Sequence, residues 1–288
     1  MLTSAKVAEF RLNKGFSDDR KRCQQQIPDW KPLWDMVECR FQRAPGENTI
    51  AIIGDSHAGH LYPGLITQTR ADEGIAVFPA GCAVPLIGLQ ASSRSHPDWA
   101  FTGHLLEEGF RYILNHKNLT KVVLAHRPGC SWNDVADTQN PNNRDYNSIM
   151  HEGFSRTFDA LSKAGKDIYV VLDNPVYKKD TFLECKTSVV RRPSSIPDFL
   201  SSKNLKSCSV KMLELEEKTE RENWDKISHE IGSSYNNVHF IDMSDFFCKD
   251  GVCSMLDQKG NLLYRDREHL NVNGSLYVSP SIIELLRN

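Results

Sequence analysis

A chain of 288 residues, 40% of them hydrophobic, buries a large core and has room for one domain or two. Its formal charge of −2, from 35 Lys and Arg against 37 Asp and Glu, gives no sign of a polyanionic partner, and the one basic cluster, Arg20-Lys21-Arg22, reads as a solvated segment rather than a nucleic-acid face. No apolar run is long enough to span a bilayer; the most apolar stretch, 78–89, is short and broken by Pro and Gly.

Eight cysteines are many for a reducing compartment, and they fall as local pairs with no C-x-x-C anywhere. Cys23 with Cys39, Cys185 with Cys208, and Cys248 with Cys253 are the preferred disulfides among about 105 formal connectivities. Cys82 and Cys130 remain, at the ends of the second and third strands. On strands that both flank the first, their Cα atoms start about 9.6 Å apart, so a bond between them needs converging loops. No second Cys or His pair completes a zinc site at Cys248 and Cys253, so no metal is expected. An oxidising compartment conflicts with the start Met1-Leu2-Thr3-Ser4-Ala5-Lys6, which begins no signal peptide. The expectation is a fragment whose export signal or membrane part lies upstream.

In chain order, residues 1–47 are polar and aromatic without a clear period and carry Trp30, Pro32 and Trp34. They form an extension across the main domain, as a linker ordered only by its disulfide or as a contributor to substrate access. The main domain, 48–288, opens with Thr49-Ile50-Ala51-Ile52-Ile53, a continuous apolar run suited to a parallel strand covered on both faces. Gly54 and Asp55 turn the chain, Ser56 follows, and a helix is expected at about 58–73. Strand two is 74–78, a helix with apolar residues at helical spacing covers 99–116, and strand three is 120–125. A helix over 146–164 leads to strand four at 167–172. Residues 174–208 have no clear period and carry five Lys and Arg between Lys178 and Arg192, as a binding loop or as a disulfide-tethered surface excursion. A charged helix over 210–231, strand five at 238–241 and a closing helix at 275–286 complete the chain. Strands alternating with helices predict an α/β fold, a parallel sheet with helices on both faces.

Ser56 stands at the carboxyl end of strand one, where open α/β sheets form their crevice. A serine hydroxyl needs a base to remove its proton, and the base needs an orienting group. Asp266 and His269, three residues apart, share one turn of backbone, so the carboxylate can hold one imidazole nitrogen while the other faces Ser56. The turn is not a G-x-S-x-G elbow, because Ala58 stands where the second glycine belongs, which disfavours the ordinary α/β-hydrolase fold. Asp55 and His57 flank Ser56 directly and are expected to support the site rather than react.

Gly54-Asp55-Ser56 with Asp266-x-x-His269 resembles the SGNH (GDSL-type) hydrolase superfamily. Gly54-Asp55-Ser56-His57, the Cys248-to-Cys253 loop and Leu263-Tyr264-x-Asp266-x-x-His269-Leu270 are similar to the exported SGNH domain fused behind bacterial membrane acyltransferases, proteins that O-acetylate surface polysaccharides such as the lipopolysaccharide O-antigen. The resemblance covers roughly 45–288. It implies a three-layer α/β/α sandwich around a five-stranded parallel, flavodoxin-like sheet ordered 2-1-3-4-5, a Ser56-His269-Asp266 triad and no cofactor. It further implies an acetyl donor, a polysaccharide acceptor, a periplasmic site, and a membrane acyltransferase domain in the same full-length protein as partner. The oxyanion donors it implies are the N–H of Ser56, a glycine after strand two, for which Gly81 is suited, and an asparagine after strand three. That asparagine is missing from His126-Arg127-Pro128-Gly129, where Arg127 either substitutes as a cationic donor or anchors a loop. A carbohydrate O-acetyl esterase with the same triad and a non-catalytic glycan-binding domain are the alternatives.

Overall fold

The computed structural model describes residues 18–28, 39–44, 46–91, 100–131, 135–190 and 206–288. Trp30, Pro32 and Trp34 lie outside them, as do 191–205 of the irregular segment. The main sheet is built from β1 (Arg40–Phe41), β2 (Ile50–Gly54), β3 (Ile75–Pro79), β4 (Lys121–Ala125), β5 (Asp167–Leu172) and β6 (Val238–Asp242), in the spatial order β1-β3-β2-β4-β5-β6. The five long strands are parallel and in the expected order. The sheet has six strands rather than five, because Arg40 and Phe41 pair antiparallel with Val77 and Ala76 at the edge. Two residues carry no readable period, and what holds them is tertiary: Phe41 is buried edge-on against Phe78, directly after the Cys23–Cys39 bridge.

Every residue of β2 is buried, and successive side chains divide between two cores as a pleated strand requires. Ile50 and Ile52 join Tyr62, Leu65, Val278, Ile282 and Leu286 on one face. Ala51 and Ile53 join Phe78, Phe110, Phe154, Phe158 and Trp224 on the other. Each fully buried Ile or Phe contributes roughly 1.5–3 kcal/mol of apolar transfer free energy. The first face is covered by the helices Ser56–Leu65 and Val272–Arg287, the second by Ala100–Asn115, Tyr146–Lys163 and Lys218–Gly232. The helix pair on the first face meets backbone to backbone at Gly64, where a Cβ would lie 2.2 Å from Ser275 O. Gly64 N–H donates to Ser275 Oγ at 2.8 Å, and that hydroxyl donates to Leu61 O at 3.0 Å. Asn271 caps the second helix, accepting from Gly274 N–H at 2.9 Å. The segment just before that cap is thereby fixed against the Ser56 helix.

Two helices differ from expectation. The one expected at 58–73 is Ser56–Leu65, ending where the polar turn before Gly74 takes over. The one expected at 210–231 begins only at Lys218; Ser209–Lys211 is a strand pairing with Val252–Ser254, and Met212–Glu214 is a 3-10 turn. The segment 174–208 is not wholly irregular, since Lys179–Val190 is a helix closed on Cys208 through Cys185. All four disulfides are formed, and the loops carrying Cys82 and Cys130 converge to a Cα separation of 5.3 Å.

Arg287, at the end of the closing helix, donates to Glu73 through Nε at 2.8 Å and Nη2 at 2.5 Å. These hydrogen bonds outweigh desolvation and pull the Glu73 carboxyl down to about 2. A carboxyl lowered on folding contributes stability that is fully present above its ordinary value near 4.5 and is lost as the pH falls through about 2. Glu73→Gln is expected to cost about 1 kcal/mol at pH 7 after solvent screening, and progressively less toward pH 2. Urea denaturation of both proteins at pH 7 and pH 3 checks this; an equal gap at both would assign the loss to packing.

Candidate active site

Gly54, the last residue of β2, is in register with Pro79 on β3 and Ala125 on β4. A Cβ on Gly54 would lie 1.7 Å from Ala125 O, so only glycine lets the two strand ends approach this closely. Asp55 then works in three directions. Its Oδ1 accepts from His57 N–H at 2.8 Å, its Oδ2 accepts from Arg127 N–H at 2.9 Å and faces His126 Nδ1 at 3.0 Å, and its carbonyl accepts from Ala58 and Gly59. Burial would raise the Asp55 carboxyl, but His126, His57 and the Arg127 amide outweigh it and hold the group well below the usual carboxylate range. Asp55 is the N-cap of the Ser56–Leu65 helix, and its bonds occupy the amides of residues 57–59. The amide of Ser56, first in the helix, has no acceptor within the helix.

Ser56 Oγ lies 2.8 Å from His269 Nε2. Both carboxylate oxygens of Asp266 lie 3.0 Å from His269 Nδ1, and Asp266 Oδ1 also accepts the backbone amides of His269 at 2.8 Å and Glu268 at 3.1 Å. The loop that makes this possible is pinched at its base, where Tyr264 bridges to Leu270 and Arg265 N–H donates to His269 O at 3.0 Å. Desolvation opposes the Asp266 charge, yet His269 and the two amides lower its pKa well below the ordinary value. The structure therefore brings Ser56 together with Asp266 and His269, more than 200 positions away in the chain.

Other expected residues are placed differently. Arg127 does not present its guanidinium as a free donor: Nε donates to Glu217 Oε2 at 2.8 Å, Nη1 to Glu268 Oε1 at 2.5 Å, and Nη2 to Glu217 Oε1. Its side chain is committed to two carboxylates, which fits the second of its two expected readings, the anchor of a loop, here joining the loop after β4 to the His269 loop. Gly81 lies in the loop after β3, beside Ala80, whose amide donates to Gly54 O at 2.8 Å. The Cys82–Cys130 bond ties that loop to the one carrying Arg127. His57 is buried, with Nδ1 2.6 Å from Asp173 Oδ1 and its ring centroid 5.0 Å from that of His269.

Sequence reasoning missed Asp173, His60, Glu217 and Glu268. Asp173 follows β5 directly, at the crevice end of the sheet, and that position was its only signal. His60 is buried against His57 at 4.6 Å, and burial, with His57 and His269 nearby, lowers its pKa well below the ordinary value. Among the described residues one group, Asp266, Glu268 and His269, has donor atoms close enough for a metal ion. Those donors already have protein partners: Glu268 meets Arg127 and Arg267, and both ring nitrogens of His269 are engaged. A cavity of about 370 Å³ opens at the carboxyl ends of β5 and β6, lined by Asp173, Glu217, Asp225, Asp242, Met212 and Leu215 among others, with carboxylates outnumbering cations.

A family model described as "SGNH domain (fused to AT3 domains)" matches residues 22–284, reaching further toward the amino end than the 45–288 expected. Among solved structures, the chain is similar to the periplasmic domain of a lipopolysaccharide acetyltransferase from Salmonella ser. Paratyphi A, at 16% identity over 84% of each chain with a TM-score of 0.56. It is also similar to the acetyl xylan esterase AlAXEase, at 15% identity over 82% of this chain and 100% of that one, with a TM-score of 0.46. At 16% identity the likeness to the Salmonella domain is one of fold. A comparison with curated protein sequences gave no match. The family match spans both the Ser56 turn and the His269 loop, and the chain belongs to the family of SGNH domains fused to AT3 domains.

Proposed function

We propose that this chain is an O-acyltransferase, with acetyl as the transferred group, that modifies bacterial surface polysaccharide through an acyl-enzyme on Ser56. The observation that carries the reading is the 2.8 Å contact of Ser56 Oγ with His269 Nε2, made while Asp266 clasps the other ring nitrogen. In the first half-reaction His269 Nε2 takes the hydroxyl proton as Ser56 Oγ attacks the acyl carbonyl of the donor. The tetrahedral intermediate collapses by breaking the bond to the donor's leaving group, which receives the proton from His269. In the second half-reaction a sugar hydroxyl gives its proton to His269 and attacks the acyl-enzyme; breaking the Ser56 ester returns the proton to Oγ. Asp266 holds the imidazole in the productive tautomer and offsets its charge when protonated.

The oxyanion is assigned to the amides of Ser56 and Gly81, each worth about 3–4 kcal/mol of barrier on the usual scale. Asp55 serves this site by taking up the neighbouring amides of the helix and leaving that of Ser56. The setting is the periplasm, with a membrane acyltransferase domain of the same full-length protein delivering the acyl group. Support comes from four disulfides, which persist in oxidising compartments, and from a family described as fused to AT3 domains. The acetyl and glycan assignments draw on the lipopolysaccharide acetyltransferase whose fold this chain shares.

Product partition tests the reading. The domain is incubated with a soluble acetyl ester, with and without bacterial surface polysaccharide, and free acetate and acetylated glycan are quantified by mass. Acetylated glycan is expected from the wild type and not from Ser56→Ala. Acetate alone, unchanged by glycan and by the addition of the membrane domain, would make the protein an esterase.

A further inference from the structure

The site holds a second histidine–carboxylate pair that the mechanism above does not use. His57 is 2% exposed and Asp173 4% exposed, and their contact at 2.6 Å joins the first turn of the Ser56 helix to the end of β5. Asp173 Oδ1 also accepts the Asn174 amide at 2.8 Å, which fixes the carboxylate. The other ring nitrogen of His57, Nε2, has no protein partner among the described residues, although the side chain is buried. A histidine kept only to satisfy hydrogen bonds would not leave a buried nitrogen unpaired. By contrast, the Asp266 side chain is 44% exposed, so the carboxylate that orients His269 sits half in water, where its hold is screened. The His269 ring lies tilted beside His57, at 5.0 Å between centroids and 55° between planes.

We propose that the His57–Asp173 pair is a positioning dyad that seats the His269 ring for its approach to Ser56. This rests on the reading of His269 as the base for Ser56. The groups facing His57 are Asp55 and His60 on its own turn and helix, Asp173 after β5, Arg127 after β4, and His269 on the carboxyl-terminal loop. Those facing His269 are Asp266 and Glu268 on its own loop, with His57 and His60 behind it. Burial alone would strip the proton from His57, but Asp173 and then Asp55 outweigh it, and the pKa is raised. A proton held there makes the contact with Asp173 charge-assisted, which fixes His57 beside the His269 ring. Removing His57 therefore takes away the group against which the His269 ring is seated. Removing Asp173 frees His57 and has a smaller effect of the same kind.

The test is the rate at which a fluorophosphonate labels Ser56, measured from pH 4.5 to 8.5 and resolved into binding and inactivation constants. No acyl substrate is needed. His57→Gln, which keeps a donor for Asp173, and His57→Phe, which keeps an aromatic ring, are expected to slow inactivation about tenfold with probe binding unchanged. Asp173→Asn should give a smaller loss in the same inactivation constant. Folded variants with the wild-type inactivation constant overturn the dyad while leaving the Ser56–His269 reading intact. Should His57→Phe not fold, His57→Gln and Asp173→Asn decide the matter. Wild-type labelling that is absent, or unaffected by His269→Ala, overturns the mechanism itself.

Discussion

Ser56→Ala is expected to abolish acetyl-ester turnover and covalent labelling, a loss of at least about 10³-fold, while leaving the melting temperature within a degree or two of the wild type. The two halves of this expectation have separate physical grounds. Chemically, alanine leaves His269 with no oxygen to deprotonate, and what survives is at most the slow attack of water assisted by oxyanion donors. Structurally, Ser56 does not cap its helix; Asp55 does, with its carboxylate and carbonyl both engaged. Ser56 is only partly buried, and the bond it loses is the single one to His269, which keeps both Asp266 contacts. Substitutions away from caps and cores usually stay within about 0.5 kcal/mol. Turnover by labelling assay and thermal melting by circular dichroism, run on the same preparations, check both halves. Retained turnover would remove Ser56 from the mechanism, and a large fall in melting temperature would show that the hydroxyl also has a structural part.

What could be read from the chain divides by sequence distance. The β2 strand, the turn at Ser56 and the clasp of Asp266 on His269 are local: an apolar run, a glycine and an i,i+3 pair carry them. Their meeting across more than 200 residues was supplied by a family resemblance, not by any pattern in the intervening chain. Arg127 shows the limit clearly. Its type and its place after strand three were legible, but its role is decided by Glu217 and Glu268, which lie 90 and 141 positions away. Asp173 is 116 positions from His57, and nothing at either residue announces the other. The misread helix start at Lys218 has the same origin, because Ser209–Lys211 is a strand only through Val252–Ser254, and local periodicity cannot report such pairing. Cys82 and Cys130 could not be paired with confidence from strand spacing, since their bond depends on how two loops bend.

The second large effect is expected at Gly54, where fold and site depend on the same missing atom. A Cβ there would stand 1.7 Å from the Ala125 carbonyl oxygen, 2.8 Å from its carbon and 3.2 Å from the Ala58 Cβ. A flexible side chain can move aside from such a clash, but these obstacles are the backbone of a central strand and the first turn of a packed helix. Relief requires the ends of β2 and β4 to separate. That breaks the bond from Asp55 N–H to Ala125 O at 3.3 Å and draws the Asp55 carboxylate away from the Arg127 amide it meets at 2.9 Å. Overpacking of this kind typically costs about 1–3 kcal/mol, and here the broken bonds of a buried, charged cap add to it, so Gly54→Ala is expected to lose about 3–5 kcal/mol. In whatever fraction folds, Ser56 rides on the displaced turn. A displacement of about 1 Å relative to His269 is enough to lower turnover about 100-fold. Urea denaturation measures the first effect, and fluorophosphonate labelling normalised to folded protein measures the second. Wild-type values in both would mean that the strand ends part freely, and that the close approach at Gly54 is not what holds Ser56 in place.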